Sequence, residues 1–341
     1  MQFVDNEYFF YYLSSNKRFV MKKALCIGIN NYPGSPLKGC INDATGVARI
    51  IETNGDGSPN FDVRLENDVP TKGILKGMLR ELFSGSAESA LFYFSGHGFL
   101  NELGGYIVTP DYSQDDEGVS MNDILSFAEE SAISNKIIIL DCCHSGAMGS
   151  PKGMHGNASI SEGVSILTAS KDSESSVEIN GHGVFTNLLI DALQGGAADL
   201  RGHITPGSIY AYIDQALGAW DQRPVFKTNI TRFTSLRVVN PQVPTELLRK
   251  IIEFFPTPSQ EFNLNPSFEF TNSKEVAHEI IKPYADPDNV EKFKILQKYQ
   301  SVGLVVPVHA EHMYYAAMES KSCRLTALGY HYWRLVHDKR I

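Results

Sequence analysis

The stretch Ala90-Leu-Phe-Tyr-Phe-Ser-Gly-His-Gly98 decides how this sequence folds. Its first five residues form a short apolar run, typical of a strand buried in a parallel sheet, and polar residues and glycine follow from Ser95 onward. The pattern recurs where the apolar run Lys136–Leu140 leads into Asp141-Cys-Cys-His-Ser-Gly146. Ligands of parallel α/β sheets bind outside the carboxyl ends of the strands. We therefore expect these two polar clusters to form one functional site.

Strands and helices alternate on both sides of these two stretches. Further strands are predicted at Lys22–Ile29, Phe61–Glu66, Tyr106–Thr109 and Val164–Ala169. Helices are predicted at Asn42–Glu52, Thr71–Leu82, Met121–Glu130, Val184–Leu193 and Ile204–Ala219. This alternation implies a mostly parallel sheet that is covered by helices on both faces, so the predicted fold class is α/β.

The chain divides into three predicted parts. Residues 1–21 are rich in aromatic side chains and form an N-terminal extension, and residues 22–240 hold the α/β domain. After the linker Asn240–Pro244, residues 241–341 form a small, mainly helical domain with one strand at Gly303–Val308. Its helices are predicted at Thr245–Phe255, Ser273–Lys282, Asn289–Ser301, Glu311–Glu319 and Thr326–Val336.

Composition narrows the class of protein. The net charge of −9 gives the chain no overall attraction to nucleic acid or anionic lipid. No apolar run approaches the roughly 20 residues that cross a bilayer. The five cysteines are odd in number and two are adjacent, which argues against a disulfide framework. We predict a cytoplasmic protein that does not bind membranes.

A histidine and a cysteine end up at neighbouring strand ends. A thiol is a strong nucleophile only as the thiolate, which a nearby base favours, and His97 and Cys143 would supply that pair. Side chains two apart share a face of an extended chain, so Ser95 would point with His97, and Asp141 with Cys143. The same alternation places Cys142 on the opposite face, as a buried apolar residue.

Ser95-Gly-His-Gly98 and Asp141-Cys-Cys-His-Ser-Gly146 resemble the two signatures of metacaspases and related bacterial caspase-like proteases. The histidine precedes the cysteine by 46 positions, close to the roughly 50 of caspases. Further matching motifs are Gly39–Ala44, Thr168–Asp172, Gly183–Thr186 and Gln222–Pro224. The resemblance covers residues 22–230 and implies a caspase-like fold and a cysteine endopeptidase. In it, His97 is the general base and acid and Cys143 is the nucleophile.

The resemblance also implies the specificity. Metacaspases cleave after Arg or Lys through an acidic S1 pocket, whose positions match Cys40, Asp43, Ser95 and Asp141. Two carboxylates beside the nucleophile suit a guanidinium or ammonium group, because each forms charge-assisted hydrogen bonds with it. We predict protein or peptide substrates with Arg or Lys at P1. Backbone N–H groups of Gly98 and Cys143 are predicted to bind the oxyanion.

Calcium activation and self-cleavage are further features of the family. The acids that correspond to calcium ligands are Asp111 and Asp123, with Asp115 and Asp116 between them, and they also suit a solvated loop. Because Ala147–Ser150 supplies no acid after the cysteine motif, we predict no cofactor and no metal, with calcium activation as the alternative. The Gly- and Ser-rich segment Ala147–Gly163 contains Lys152, a predicted self-cleavage site.

The C-terminal domain resembles a winged helix in its helix–strand–helix order around Leu325–Gly329. Between Glu291 and Ile341, eight Lys and Arg residues outnumber four acids, a modest excess for a DNA-binding surface. We favour a protein partner, contacted by this domain's aromatic side chains. The layout resembles bacterial caspase-like effectors of stress or defence pathways. A catalytically silent scaffold and a DNA-binding regulator remain the alternatives.

Overall fold

The computed structural model describes residues 22–102, 104–113, 116, 118–142, 160–169, 178–179, 182–217, 223–231, 234–271 and 277–341. The predictions for residues 1–21, Asp115, Cys143 and Lys152 lie outside these ranges. Among the described residues, the helices are too short or too polar to cross a bilayer.

Six described strands form one central sheet in the order β12-β8-β7-β3-β1-β2. Their bounds are β1 Lys22–Gly28, β2 Phe61–Asn67, β3 Ser89–Ser95, β7 Asn135–Asp141, β8 Val164–Thr168 and β12 Val225–Asn229. The four pairings among β2, β1, β3, β7 and β8 are parallel, and the edge strand β12 runs antiparallel to β8. The predicted mostly parallel sheet is therefore confirmed.

Helices cover both faces of this sheet. They are α1 Cys40–Ile51, α2 Lys72–Phe83, α3 Met121–Glu129, α4 Val184–Asp191, which continues as a π-turn over Ala192–Gly196, and α5 Pro206–Ala216. Alternate residues of β3 point to opposite faces, so Phe92 and Phe94 pack in one apolar cluster while Leu91 and Tyr93 pack in the other. Helices α2 and α3 cover the first cluster, and α1, α4 and α5 cover the second.

Hydroxyl side chains fix where three of the helices begin. Thr71 accepts a hydrogen bond from the Ile74 N–H at the start of α2, and Ser120 does the same for Asp123 at the start of α3. Thr205 and Ser208 form a reciprocal capping box at the start of α5. Because capping side chains satisfy backbone donors that lack a partner within the helix, the predicted helix starts lie within two residues of the observed ones.

Two regions of this α/β part differ from the prediction. The strand predicted at Tyr106–Thr109 lies outside the central sheet, in a small antiparallel sheet of β4 Gly98–Asn101, β5 Gly104–Ile107 and β6 Val119–Ser120. The sequence does not predict β12, since this edge strand lacks a continuous apolar run. Short strands complete this part: β9 Glu178–Ile179, β10 His182–Gly183, β11 His203–Ile204 and β13 Arg237–Val238.

The chain separates into two compact units. The first holds the described residues up to Ala198 together with Ile204–Val239, and the second holds Asp199–His203 and Asn240–Ile341. Helices of the second unit are α6 Thr245–Arg249, α7 Ile251–Phe254, a 3₁₀ turn Pro266–Phe268, α8 Pro287–Ser301, α9 Met313–Met318 and α10 Ala327–His337. Its antiparallel sheet has the order β14-β16-β15, with bounds Phe262–Asn263, Ser322–Leu325 and Val305–Val308.

The second unit has its own apolar core, which contains Phe255, Leu296 and Trp333. One helix prediction is wrong where the structure describes it: residues 277–282 are not helical, and residues 272–276 lie outside the described ranges. Ile280 is 70% exposed, so this segment has no buried apolar face to stabilise a helix. The resemblance to a winged helix stays a prediction.

Candidate active site

The carboxyl ends of three neighbouring strands meet at one edge of the central sheet. Ser95, the last residue of β3, lies opposite Gly28 of β1 on one side and Asp141 of β7 on the other. This register follows from parallel pairing of three seven-residue strands that each end in a loop. Both predicted polar clusters therefore start from adjacent strand ends.

His97 follows β3 by two residues, and its half-buried imidazole is held by the loop after β1. Nε2 lies 2.8 Å from the backbone oxygen of Ser35 and 3.3 Å from the Ser35 hydroxyl. A carbonyl oxygen only accepts hydrogen bonds, so this contact favours the tautomer with its proton on Nε2. Nδ1 is then the nitrogen that can take a proton from a thiol.

Tyr32 is a second support of His97, and sequence reasoning missed it. Its hydroxyl accepts a hydrogen bond from the His97 N–H at 3.1 Å and donates one to the Val108 oxygen at 3.2 Å. The two rings meet edge to face with centroids 4.6 Å apart. A Cβ at Gly96 would lie 2.5 Å from the hydroxyl, so the glycine admits this contact. In the sequence, the Asn/Pro-rich context of Tyr32 indicated only a turn.

A cleft of about 290 Å³ opens beside His97. Its walls come from the loop after β1, from β4 and from the segment after β5. Residues that line it include Tyr32, Ser35, Gly98, Phe99, Val108 and Tyr112. The cleft therefore offers a substrate a mostly apolar surface next to the imidazole, and Gly98 forms part of it.

Asp43, in the first turn of α1, is almost fully buried, with 3% of its surface exposed. One oxygen, Oδ2, accepts the Ser95 hydroxyl at 3.0 Å. The other, Oδ1, lies 2.9 Å from Nδ1 of His182 and accepts the Gly183 N–H at 3.2 Å. Burial raises the pKa of the Asp43 carboxyl, while the hydrogen bonds from His182, Ser95 and Gly183 lower it.

Asp141, the last residue of β7, is held through a chain of hydroxyl groups. The Thr186 hydroxyl donates to Asp141 Oδ2 at 2.5 Å and accepts from the Tyr93 hydroxyl at 2.6 Å. Burial raises the pKa of the Asp141 carboxyl to about 7, an effect that the Thr186 hydrogen bond opposes and the nearby Asp43 charge reinforces. The two carboxyl groups are therefore close enough for their charges to interact.

Cys40 completes the predicted pocket set. It begins α1, where its N–H donates to the side-chain oxygen of Asn30 at 3.0 Å. Burial raises the pKa of its thiol to about 12; a hydrogen bond to Ser95 opposes this, and the Asp43 and Asp141 charges add to it. The structure thus brings Cys40, Asp43, Ser95 and Asp141 together.

The four described cysteines are poor nucleophiles. Burial raises the pKa of Cys26, and it raises the pKa of Cys323 to about 12. Cys142 is 5% exposed and packs in the apolar cluster with Leu140, so the prediction that it faces away from the pocket is confirmed. A reactive thiol needs exposure and a lowered pKa, so the remaining candidate nucleophile is Cys143, which the structure does not describe.

Three residues of the pocket were not among the predicted site residues: Tyr93, His182 and Thr186. Thr186 belongs to the motif Gly183–Thr186, which matched the family, so its sequence signal was present without a role. Tyr93 lies within the apolar run of β3, so the sequence indicates only a buried strand residue. His182 carries no signal in the sequence, because its partner Asp43 lies 139 positions earlier.

The acidic loop does not form a calcium site in the described residues. Asp116 is paired with the ammonium group of Lys72, and Asp123 is paired with Lys76 at 2.7 Å. Asp111 accepts the Lys72 backbone N–H at 3.1 Å. Within the part of the chain that the structure describes, no cluster of three acidic, histidine or cysteine side chains suits a metal ion. Lysines are already paired with two of the candidate ligands, so the acids that the structure describes do not fit the ion.

A comparison with known protein families places this α/β fold in one class. Residues 21–234 match the Caspase domain family, Peptidase_C14. The match covers more than half of the chain, and the chain therefore belongs to this family of cysteine-type peptidases. No curated protein matches the chain. The caspase-like resemblance that the motifs indicated is thereby confirmed.

Proposed function

We propose that the protein is a cysteine endopeptidase that cleaves peptide bonds after Arg or Lys, with His97 and Cys143 as its catalytic dyad. One observation carries the specificity: the carboxyl groups of Asp43 and Asp141 both lie beside Gly183, where a Cβ would be 3.7 Å from Oδ2 of Asp43 and 3.3 Å from Oδ2 of Asp141. In the sequence, Asp141 stands two residues before Cys143. An acidic P1 side chain would be repelled there, whereas a cation offsets the mutual repulsion of the two carboxylates.

The proposed reaction uses both nitrogens of His97. With its Nε2–H on the Ser35 oxygen, the imidazole takes the Cys143 thiol proton on Nδ1, and the thiolate attacks the carbonyl carbon after P1. The N–H groups of Gly98 and Cys143 bind the oxyanion. His97 then protonates the leaving amine, and a water molecule that it activates hydrolyses the thioester.

The proposed preference for a basic P1 residue over a neutral one rests on the charge of the two carboxyl groups. Asp141 has a pKa of about 7, so it is poised to lose its proton when a guanidinium or ammonium group enters. Hydrogen bonds from charged donors to a carboxylate are about twice as strong as neutral ones. Ser95 and Thr186 hold the two carboxyl groups in place through their hydroxyls.

The test is hydrolysis of fluorogenic peptides that end in Arg, Lys, Asp or Ala, with Cys143→Ala beside the wild type. We expect cleavage after Arg and Lys and a loss of about 10⁴-fold or more in Cys143→Ala, as for other enzymes that lose their nucleophile. Cys142→Ala is the matched control, because this neighbouring thiol packs in the apolar cluster, and it should stay active. Cleavage only after Asp would overturn the acidic pocket.

Other parts of the proposal rest on the sequence. We propose that Lys152 is a self-cleavage site; a Lys152→Ala protein that is still cut between residues 147 and 163 would contradict this. Residues 22–240 and 241–341 are proposed to be separate domains in a regulated, cytoplasmic protease of a stress or defence pathway.

The structure adds an observation on the second unit. Because Tyr315, Leu328 and Tyr330 are exposed there, we propose that residues 241–341 bind a protein partner through them.

A further inference from the structure

His182 occupies a position beside the acidic pocket that neither the family match nor the motifs assign. It begins β10, and its imidazole is 18% exposed. Nδ1 lies 2.9 Å from Oδ1 of Asp43, and the Asn42 amide nitrogen lies 3.5 Å from Nε2. The same amide nitrogen lies 3.4 Å from Nδ1, so Asn42 does not distinguish the two ring nitrogens. Because a carboxylate oxygen only accepts hydrogen bonds, the Asp43 contact favours a proton on Nδ1.

The helix that carries Asp43 leaves room for this imidazole. Gly46 lies inside α1, where glycine costs roughly 1 kcal/mol relative to alanine. A Cβ at this position would lie 2.9 Å from Cε1 of His182 and 2.9 Å from the end of the Ile190 side chain. The Ile190 side chain can move aside, whereas the imidazole is held by its hydrogen bond to Asp43. Glycine, which destabilises a helix, thus occupies the position in α1 against which the His182 imidazole packs.

The two pocket carboxylates face one space beside Gly183. A Cβ there would lie 3.3 Å from Oδ2 of Asp141 and 3.7 Å from Oδ2 of Asp43. Oδ1 of Asp43 is the oxygen held by His182 and by the Gly183 N–H. The other oxygen of Asp43, Oδ2, therefore lies beside the same glycine as Oδ2 of Asp141.

We propose that His182 is a specificity-determining positioning residue: its Nδ1–H holds Oδ1 of Asp43, so that Oδ2 and the Asp141 carboxylate together receive the cationic P1 side chain. This inference rests on the proposed function and deepens it. Burial raises the pKa of Asp43, and the His182 hydrogen bond is the largest effect that lowers it. His182 acts through Asp43 and takes no part in the proton transfers at Cys143.

The first experiment compares His182→Ala with His182→Asn on peptides that differ only at P1. A hydrogen bond to a charged group contributes about 1.5–3 kcal/mol, so we expect His182→Ala to raise KM for P1 Arg about tenfold or more. Its kcat should stay within about twofold, since the dyad is untouched. The asparagine amide can place an N–H near the position of Nδ1, so His182→Asn should recover most of the loss.

A second pair of variants moves the imidazole without changing it. Gly46→Ala pushes a methyl group against the His182 ring, whereas Gly77→Ala adds the same methyl to α2, where nothing lies within 4 Å. Both changes raise helix propensity alike. We expect only Gly46→Ala to raise KM for P1 Arg, and we expect it to add nothing further in the His182→Ala background, as for two changes that act through one contact.

Binding of argininamide, measured by calorimetry, reports on the pocket without catalysis. Weaker binding to His182→Ala and Gly46→Ala than to the wild type, with normal thermal melts, supports the inference. Equal KM and equal binding in all variants of an active wild type would overturn the role of His182 and leave the proposed function intact. A wild type that neither cleaves after Arg nor binds argininamide would overturn both.

Discussion

At the scale of single residues, the proposed catalytic histidine, His97, is held by groups that take no part in the proposed reaction. The Ser35 contact is made by a backbone oxygen, so the Ser35 side chain is dispensable for it, whereas the Tyr32 hydroxyl is the acceptor for the His97 N–H. Burial raises the pKa of Tyr32, so this hydroxyl keeps its proton and can still donate to Val108. The backbone oxygen of Ser35 and the hydroxyl of Tyr32 thus both hold His97 in position.

The first prediction concerns that phenol. Tyr32→Phe leaves the His97 N–H and the Val108 oxygen without their partner, and an unsatisfied buried group costs about 1–3 kcal/mol. We expect kcat for P1 Arg peptides to fall about tenfold while KM changes little, because the acidic pocket keeps its residues and the phenyl ring still lines the cleft. Tyr315→Phe, at an exposed position of the second unit, is the control. A Tyr32→Phe enzyme with wild-type kcat would show that the hydroxyl does not position His97.

The second prediction concerns the ionisation of Asp141. Its folded pKa of about 7 exceeds the ordinary value of 3.8, so between these two pH values the folded chain binds more protons than the unfolded chain. The stability contributed by the protonated carboxyl is therefore full below pH 3.8 and lost as the pH rises through about 7. We expect ligand affinity to change with pH in the opposite direction, increasing as the pH rises, because the proposed P1 cation binds the ionised carboxylate.

Two measurements check both signs. Argininamide should bind more tightly as the pH rises from about 6 to about 8, and this rise should be absent in Asp141→Asn. The melting temperature of Asp141→Asn, minus that of the wild type, should increase over about pH 4 to 8, since the amide avoids burying a charge. A difference that stays constant with pH would contradict the raised pKa.

At the scale of elements, the close approach of β1 and α1 sets the position of the pocket. A Cβ at Gly28, the last residue of β1, would lie 2.2 Å from the backbone oxygen of Cys40, the first residue of α1. The Asn30 side chain binds the same helix start through the Cys40 N–H. These contacts fix the turn of α1 that carries Asp43.

The third prediction tests this approach. Gly28→Ala cannot be accommodated by a side-chain rotation, because the obstacle is backbone, and we expect it to destabilise the fold by about 1–3 kcal/mol. Gly77→Ala, in the open interior of α2, should instead stabilise by up to about 1 kcal/mol. Urea unfolding of both variants gives the comparison. Equal stability of Gly28→Ala and the wild type would contradict the close approach.

The sequence predicts those elements and site residues whose structure is determined by neighbouring residues, and it misses those that depend on contacts between distant parts of the chain. The inner parallel strands β1, β3, β7 and β8 contain short apolar runs, and hydroxyl caps such as Thr71 mark the helix starts. The sequence therefore predicts these elements almost at their observed bounds. The edge strand β12 is stabilised by pairing with β8 and by Phe226 stacking on Tyr210, which no local pattern reveals. The same holds for His182, whose role exists only through a contact with α1.

At the scale of the whole molecule, each of the two compact units has an apolar core of its own. In the second unit, the buried Trp333 donates from its indole nitrogen to the Phe255 oxygen at 2.6 Å, which joins α10 to the end of α7. Tyr299 of α8 adds a second such link, from its hydroxyl to the Leu247 oxygen. These links tie the helices of the second unit to one another, as expected of a domain that folds by itself.

The fourth prediction tests that domain organisation. Trp333→Ala removes a buried aromatic side chain and a hydrogen bond, and we expect it to destabilise the second unit by about 3–5 kcal/mol. Argininamide should still bind, since the acidic pocket belongs to the first unit. Calorimetry of the variant should show one of two thermal transitions shifted to lower temperature. Loss of ligand binding at temperatures below that transition would mean that the two units fold as one.

The sequence positions of the residues that contact Asp43 have a consequence for when the proposed activity can begin during synthesis. Ser95 lies 52 positions beyond Asp43, and His182 lies 139 positions beyond it. In the proposed enzyme, a chain still on the ribosome contains Cys143 before it contains His182 and Thr186, which hold the two carboxyl groups of the acidic pocket. We therefore expect substrate binding to begin only after both residues have left the exit tunnel, so the order of translation delays the onset of cleavage.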